Sequence, residues 1–131
     1  MTPLYPLLFD NNFHTIVWGG HSLKPLKGLP QDSETVGESW EVSAVPGSKS
    51  VVKNGPLAGR DLADITAEYG ELLLGKAVAA KYGDKFPILI KYIDAAKDLS
   101  IQVHPDDALA KARHNCFGKT EMWYVMKAEP G

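Results

Sequence analysis

The spacing of apolar side chains along this chain changes character near residue 61 and again near residue 86. Before residue 61, turn residues interrupt every run: Trp18-Gly19-Gly20, Pro25, Gly28 and Pro30 leave no continuous period. Gly37 precedes a run from Glu38 to Val45. It predicts a strand, which Pro46-Gly47 ends with a turn. Val51-Val52 then leads into a second turn at Asn54-Gly55-Pro56. From Asp61 the period is helical, because Leu62, Ile65 and Tyr69 fall on one face. Asp61 is a suitable N-cap and Gly70 a suitable stop. Glu71 to Lys81 predicts a further helical segment, bent at Gly75 and stopped by Gly83.

The third stretch reads differently. Phe86 to Asp94 is mostly apolar and bounded by turn residues, which predicts a buried strand. Ala95 to Asp98 has the length of a hairpin loop, and Leu99 to His104 predicts a second strand that Pro105 stops. Asp106 or Asp107 can cap a short helix over Ala108 to Arg113, and Gly118 to Met126 predicts a third strand. Strands joined by short connections favour an antiparallel sandwich or barrel over βαβ units. The expectation is a mainly β fold with a small helical insert. Residues 1–60 would form a loop-rich β region, 61–83 the insert and 86–131 a further β region.

Alternation within two of these strands gathers chemistry. Ser100, Gln102 and His104 project from one face, with Ile101 and Val103 on the other. In the later strand Lys119, Glu121 and Trp123 share a side. If the strands are neighbours, an imidazole, a carboxylate, an amide oxygen, an ammonium and a hydroxyl converge. Imidazole and carboxylate are ordinary ligands of zinc and other divalent metals, whereas glutamine is a less usual one. On pattern alone, a half-buried strand whose polar residues face water explains the row better than a metal site does.

Composition narrows the field. A length of 131 residues, 44% hydrophobic and 23% charged, suits one compact, well-cored domain. A net charge of -2 offers no field for counterion release, which argues against nucleic acid and against anionic membrane surfaces. No run approaches a membrane span, and Met1 to Asp10 lacks a basic n-region, so the cytoplasm is the expected compartment. The lone Cys116 cannot form an internal disulfide and reads as a bland free thiol. For Trp18, Trp40 and Trp123, core packing is the expectation. His14, His21 and His114 read as structural or exposed. Glu38 and Glu41, on opposite faces of their strand, are assigned no catalytic role.

Two ordered motifs, Leu99-Ser100-Ile101-Gln102-Val103-His104-Pro105-Asp106 and Gly118-Lys119-Thr120-Glu121-Met122-Trp123-Tyr124, resemble the signature of the type I mannose-6-phosphate isomerase family. Trp18-Gly19-Gly20, Gly37-Glu38-Ser39-Trp40-Glu41, Lys53 to Gly59 and Phe86 to Lys91 resemble its short bacterial branch, so the likeness spans nearly the whole chain. The resemblance implies a cupin-type antiparallel β-barrel or jelly roll, incomplete at the C-terminus, with 1–131 as the amino-terminal part of a single isomerase domain. It implies one Zn2+ or other divalent metal held by Gln102, His104 and Glu121, with a fourth ligand, a histidine, lying downstream of the chain. The implied substrates are mannose 6-phosphate and fructose 6-phosphate. Lys119 is the implied proton-transfer group, with Ser100 and Lys91 as candidate substrate contacts. The runner-up is a non-catalytic cupin module binding metal or sugar, and an iron-dependent cupin oxygenase ranks last.

Overall fold

The computed structural model describes residues 1–130, so Gly131, the last residue of the expected domain, lies outside the described residues. Two compact units divide the chain, the first Met1–Leu99 and the second beginning at Ser100. In the first unit a three-stranded antiparallel sheet has the order β1 (Phe13–His14), β2 (Glu38–Val42), β3 (Ile90–Ile93). β2 is central. Trp40 pairs with Lys91 and Glu38 with Ile93, and a bulge lies between Trp40 and Val42. A short helix, α1 (Leu23–Leu26), lies between β1 and β2.

Between β2 and β3 come α2 (Leu62–Tyr69), α3 (Glu71–Leu74) and α4 (Lys76–Tyr82). Their ends follow from local chemistry. Asp61 caps α2 by accepting the Asp64 amide at 2.9 Å. Burial alone would raise the Asp61 pKa, but that amide and the Lys49 ammonium hold it below the ordinary carboxylate value. Gly70 and Gly75 carry positive φ, so the helical axis turns at each of them. The buried face of α2 supplies Ile65 and Tyr69 to a core with Val52 and Leu57, walled by Leu4, Tyr5, Leu7, Phe9 and Leu73. Tyr5 bolts this core to the turn beneath it: its hydroxyl donates to Asn54 O at 2.7 Å and accepts from Leu57 N at 2.8 Å. A Cβ on Gly55 would stand 2.7 Å from the Tyr5 ring, so the turn has room only for glycine.

Asp94 ties β3 to the loop-rich first third. Its carboxylate accepts the Ser22 amide at 2.7 Å, its backbone N–H donates to Gly37 O at 2.9 Å, and its carbonyl accepts from Gly20 N. One face of the sheet carries a polar and aromatic cluster. Lys91 Nζ stands 2.8 Å from Glu38 Oε1, and the Trp40 indole donates to Glu38 Oε2 at 2.7 Å. His14 stacks on Trp40 with ring centroids 4.3 Å apart.

Several expectations from the sequence need correction. Leu99 to His104 and Gly118 to Met126 are not strands, and the first sheet residue of the third stretch is Ile90 rather than Phe86. Helical residues outnumber strand residues among those described, against the expectation of a mainly β chain, and the sheet is antiparallel with three strands. A strand is stable only when a neighbour takes its backbone hydrogen bonds and covers its apolar face. Ile101 and Val103 are 99% and 95% exposed, so nothing sets a register there. Trp123 is also not a core residue, being 58% exposed, while Trp18 packs its ring against Gly37 as expected of a packing residue.

Glu38 gives the first unit a calculable response to acid. Burial pushes its pKa up, but hydrogen bonds from Lys91 and Trp40 outweigh this and hold it below the ordinary 4.5. A depressed carboxylate stabilises the fold fully above the unfolded-state pKa, and the contribution is lost as pH falls through the folded value. The urea midpoint should therefore fall as pH drops below 4.5, and Glu38→Gln should flatten that part of the profile while lowering the midpoint at pH 7. Parallel acid limbs for the two proteins would contradict the assignment.

Candidate metal centre

The second unit is organised by one helix, α5 (Asp107–His114). Asp106 caps it, accepting the Leu109 amide at 2.8 Å, and Asn115 ends it in the left-handed region at φ 51°. Lys111, Arg113 and His114 occupy the last turn, where cations suit the helix dipole. After α5 the chain doubles back. Gly118 N donates to Asp107 Oδ1 at 2.9 Å and Lys119 N to Pro105 O at 3.3 Å. A Cβ on Gly118 would meet Asp106 C and Asp107 N at 2.6 Å, so this return crossing requires glycine.

The crossing brings His104 and Glu121 together. His104 Nε2 lies 3.4 Å from Glu121 Oε1, and Lys119 Nζ lies 3.3 Å from Glu121 Oε2. His104 is the least exposed of the three, its side chain 24% accessible against 38% for Glu121 and 43% for Lys119. Pairs this open add little stability, so their proximity has to be explained by geometry rather than by ion-pair strength.

Gln102 does not join that contact. Its amide nitrogen donates to Ser100 Oγ at 3.0 Å, which leaves the amide oxygen as its acceptor. Among the described residues, no three His, Cys, Asp or Glu side chains gather as a metal cage. The donor set is therefore one imidazole and one carboxylate in contact, with an amide two residues before the imidazole. Its chemistry fits a divalent metal: with bonds of about 2.1 Å and tetrahedral angles, two ligand atoms stand roughly 3.4 Å apart. Cys116 is exposed, as a bland thiol would be.

Lys91 belongs to the first unit, where Glu38 holds it. The sequence reading missed this partnership, and it gave Glu38 no role. Strand alternation could have placed Glu38 and Trp40 on one face, but not Lys91, which is 53 residues from Glu38. Glu41 does face the other way, where it meets Lys27 at 2.5 Å and Ser39 at 2.6 Å.

Comparison with known proteins decides the family. The model of "Phosphomannose isomerase type I, catalytic domain" matches residues 7–126. The chain belongs to the type I phosphomannose isomerase family. It is 43% identical over 126 residues to the mannose-6-phosphate isomerase of Streptococcus mutans, covering 96% of this chain and 38% of that protein. It is 38% identical over 125 residues to mannose-6-phosphate isomerase ManA of Bacillus subtilis, with 95% and 38% covered. The crystal structure of the mannose 6-phosphate isomerase from Bacillus subtilis superposes with a TM-score of 0.75 at 37% identity, covering 86% of this chain and 35% of that one. The chain thus spans under two fifths of the length of these relatives. The family match includes both segments that supply His104 and Glu121.

The Gly118 crossing can be tested directly. Gly118→Ala should force the return segment away from Pro105 to Asp107, with a cost of about 1–3 kcal/mol typical of overpacking. Hydrogen exchange at the Gly118 and Lys119 amides should accelerate; unchanged exchange would show that the backbone accommodates a methyl group.

Proposed function

We propose that this chain is part of a metal-dependent aldose-ketose isomerase that interconverts mannose 6-phosphate and fructose 6-phosphate. The observation that carries this reading is the 3.4 Å approach of the His104 imidazole and the Glu121 carboxylate, within segments that the family match covers. Relatives named mannose-6-phosphate isomerase give the substrate class. The match runs across the boundary between the two units, which supports one cupin-type domain with a barrel as its full architecture. The compartment proposed is the cytoplasm. No helix among the described residues is long and apolar enough to cross a membrane.

In this reading Gln102, His104 and Glu121 would hold a zinc or other divalent ion. When bound there, such an ion would supply Lewis acidity toward the sugar oxygens. The reaction moves a proton between C2 and C1 through an enediol. Lys119, beside Glu121, is the group proposed to hold or move that proton, and its ammonium also opposes the negative charge that develops on oxygen. Ser100 is proposed to orient the sugar and to fix the Gln102 amide, which leaves the amide oxygen for the metal. Lys91 is proposed to attract the phosphate, sharing its charge with Glu38.

A non-catalytic cupin module that binds metal or sugar is the second reading. It is favoured by one observation, that only two strong donors meet among the described residues.

Turnover separates the two. His104→Ala should weaken zinc retention by more than about 100-fold, since losing even an outer-shell partner costs about 10–100-fold. Lys119→Met should keep the metal while lowering coupled mannose 6-phosphate turnover by about 100- to 10,000-fold, the range of general acid-base catalysis. The assay is run with the chain carried in a complete family polypeptide. Metal bound with no turnover in the unsubstituted protein would favour the binding module, and a Lys119→Met rate equal to the parent's would remove Lys119 from the mechanism.

A further inference from the structure

Residues 1–10 form a strap across the core under α2, and Asn54 fastens it. The Asn54 amide oxygen accepts the Leu8 N–H at 2.8 Å, and the amide nitrogen donates to Pro6 O at 3.1 Å. Its backbone carbonyl accepts the Tyr5 hydroxyl at 2.7 Å. Further bonds hold the strap on either side: Lys53 N donates to Leu8 O at 2.8 Å, Asp10 N to Val51 O at 2.9 Å, and the Tyr69 hydroxyl to Thr2 O at 2.6 Å.

Asn54 alone among the asparagines is followed by glycine. With no side chain on residue 55, nothing shields its backbone nitrogen from the Cγ that precedes it. Gly55 also opens a single 3-10 turn, Gly55–Leu57, whose first N–H has no partner within the turn. The two reacting groups are therefore neighbours. What they lack is freedom, because both ends of the Asn54 amide are bonded to the strap.

We propose that Asn54-Gly55 is a covalent modification site, a latent deamidation centre that the strap keeps closed. The inference goes beyond the isomerase reading and does not rest on it. When the strap lifts, Gly55 N attacks Asn54 Cγ: the N–Cγ bond forms, the Cγ–Nδ2 bond breaks, and ammonia leaves with the Gly55 amide proton. Water then opens the cyclic imide, at Cγ to give an aspartate or at the Asn54 backbone carbonyl carbon to give an isoaspartyl linkage. Neither product can refasten the strap. In the aspartate an oxygen replaces the donor opposite Pro6 O, so two acceptors face each other without a proton between them. The isoaspartyl linkage adds a methylene to the backbone of a turn in which even a Cβ on Gly55 would stand 2.7 Å from the Tyr5 ring. Lifting is reversible until the imide forms and one-way afterwards.

The full chain is held in mildly alkaline buffer, and the peptide containing Asn54-Gly55 is followed by its gain of one mass unit and by isoaspartate detection. Deamidation should run at least about 10-fold more slowly in the native chain than in the chain unfolded in urea, because only open molecules react. Tyr5→Phe, which takes the hydroxyl from Asn54 O and Leu57 N, should accelerate it by about 5-fold or more. If Tyr5→Phe does not fold, the gate is read in the unsubstituted chain: in sub-denaturing urea, deamidation and exchange of the Lys53 amide should rise together, ahead of global unfolding. Asn54→Asp should speed Lys53 amide exchange by at least about 10-fold, while Asn115→Asp, in the second unit, should leave it unchanged. Equal rates in native and unfolded chains, a folded Tyr5→Phe that deamidates no faster than its parent, deamidation that begins only with global unfolding, or an Asn54→Asp strap as protected as the parent's would each overturn the proposal.

Discussion

Everything in the second unit turns on how closely two backbones approach at Gly118. A chain leaving a helix has no intrinsic reason to return toward the residue that preceded it. Here the missing side chain lets the Gly118 peptide settle against Pro105 to Asp107, where Asp107 and the Pro105 carbonyl take its amide and the next one. Asp106 and Asp107 thus have two tasks between them. Asp106 starts α5, and Asp107 receives the chain that α5 sends back. The imidazole and carboxylate meet because this closure is made of backbone, which has few conformational alternatives, rather than of long side chains.

The first unit solves a different problem. Its sheet has only three strands, and one face carries a lysine, a glutamate, an indole and an imidazole in place of an apolar layer. Half-buried polar groups are tolerable when each finds a partner, and no buried side-chain nitrogen or oxygen among the described residues lacks one. The apolar core lies instead under α2, with Tyr5 and Tyr69 anchored by their hydroxyls to Asn54 O and Thr2 O. Packing and polar chemistry are therefore kept on separate parts of the same unit.

This separation explains what could be read from the sequence. The helix boundaries at Asp61, Gly70, Gly75, Gly83 and Asp106 were legible because each is set by residues a few positions away. The existence of β2 and β3 was legible in outline, from apolar runs bounded by turns, but their pairing with each other was not, since the Phe86 run was expected to pair across a hairpin with Leu99 to His104. What failed was non-local. Strands at Leu99 to His104 and Gly118 to Met126 require neighbours that the pattern cannot supply, and the exposure of Trp123 follows from the same lack. Of the candidate site, the approach of His104, Lys119 and Glu121 was implied by the resemblance of two motifs to a known family, whereas alternation alone favoured polar residues facing water. The engagement of Gln102 with Ser100 was not legible, because alternation places both on one side without saying what they bond to.

The connection between β2 and β3 has a kinetic side. Lys91 and Glu38 are 53 residues apart, and closing so long a loop from a flexible chain is entropically costly before any contact repays it. Local helical turns form within about a microsecond, far faster than such closures. With α2, α3 and α4 in place, much of the intervening polypeptide is shortened to helical rise per residue, and the number of free links between the two strands falls. The glycine-punctuated insert therefore acts as a folding aid as well as a packing element: it reduces the search that brings the central strand and its neighbour into register.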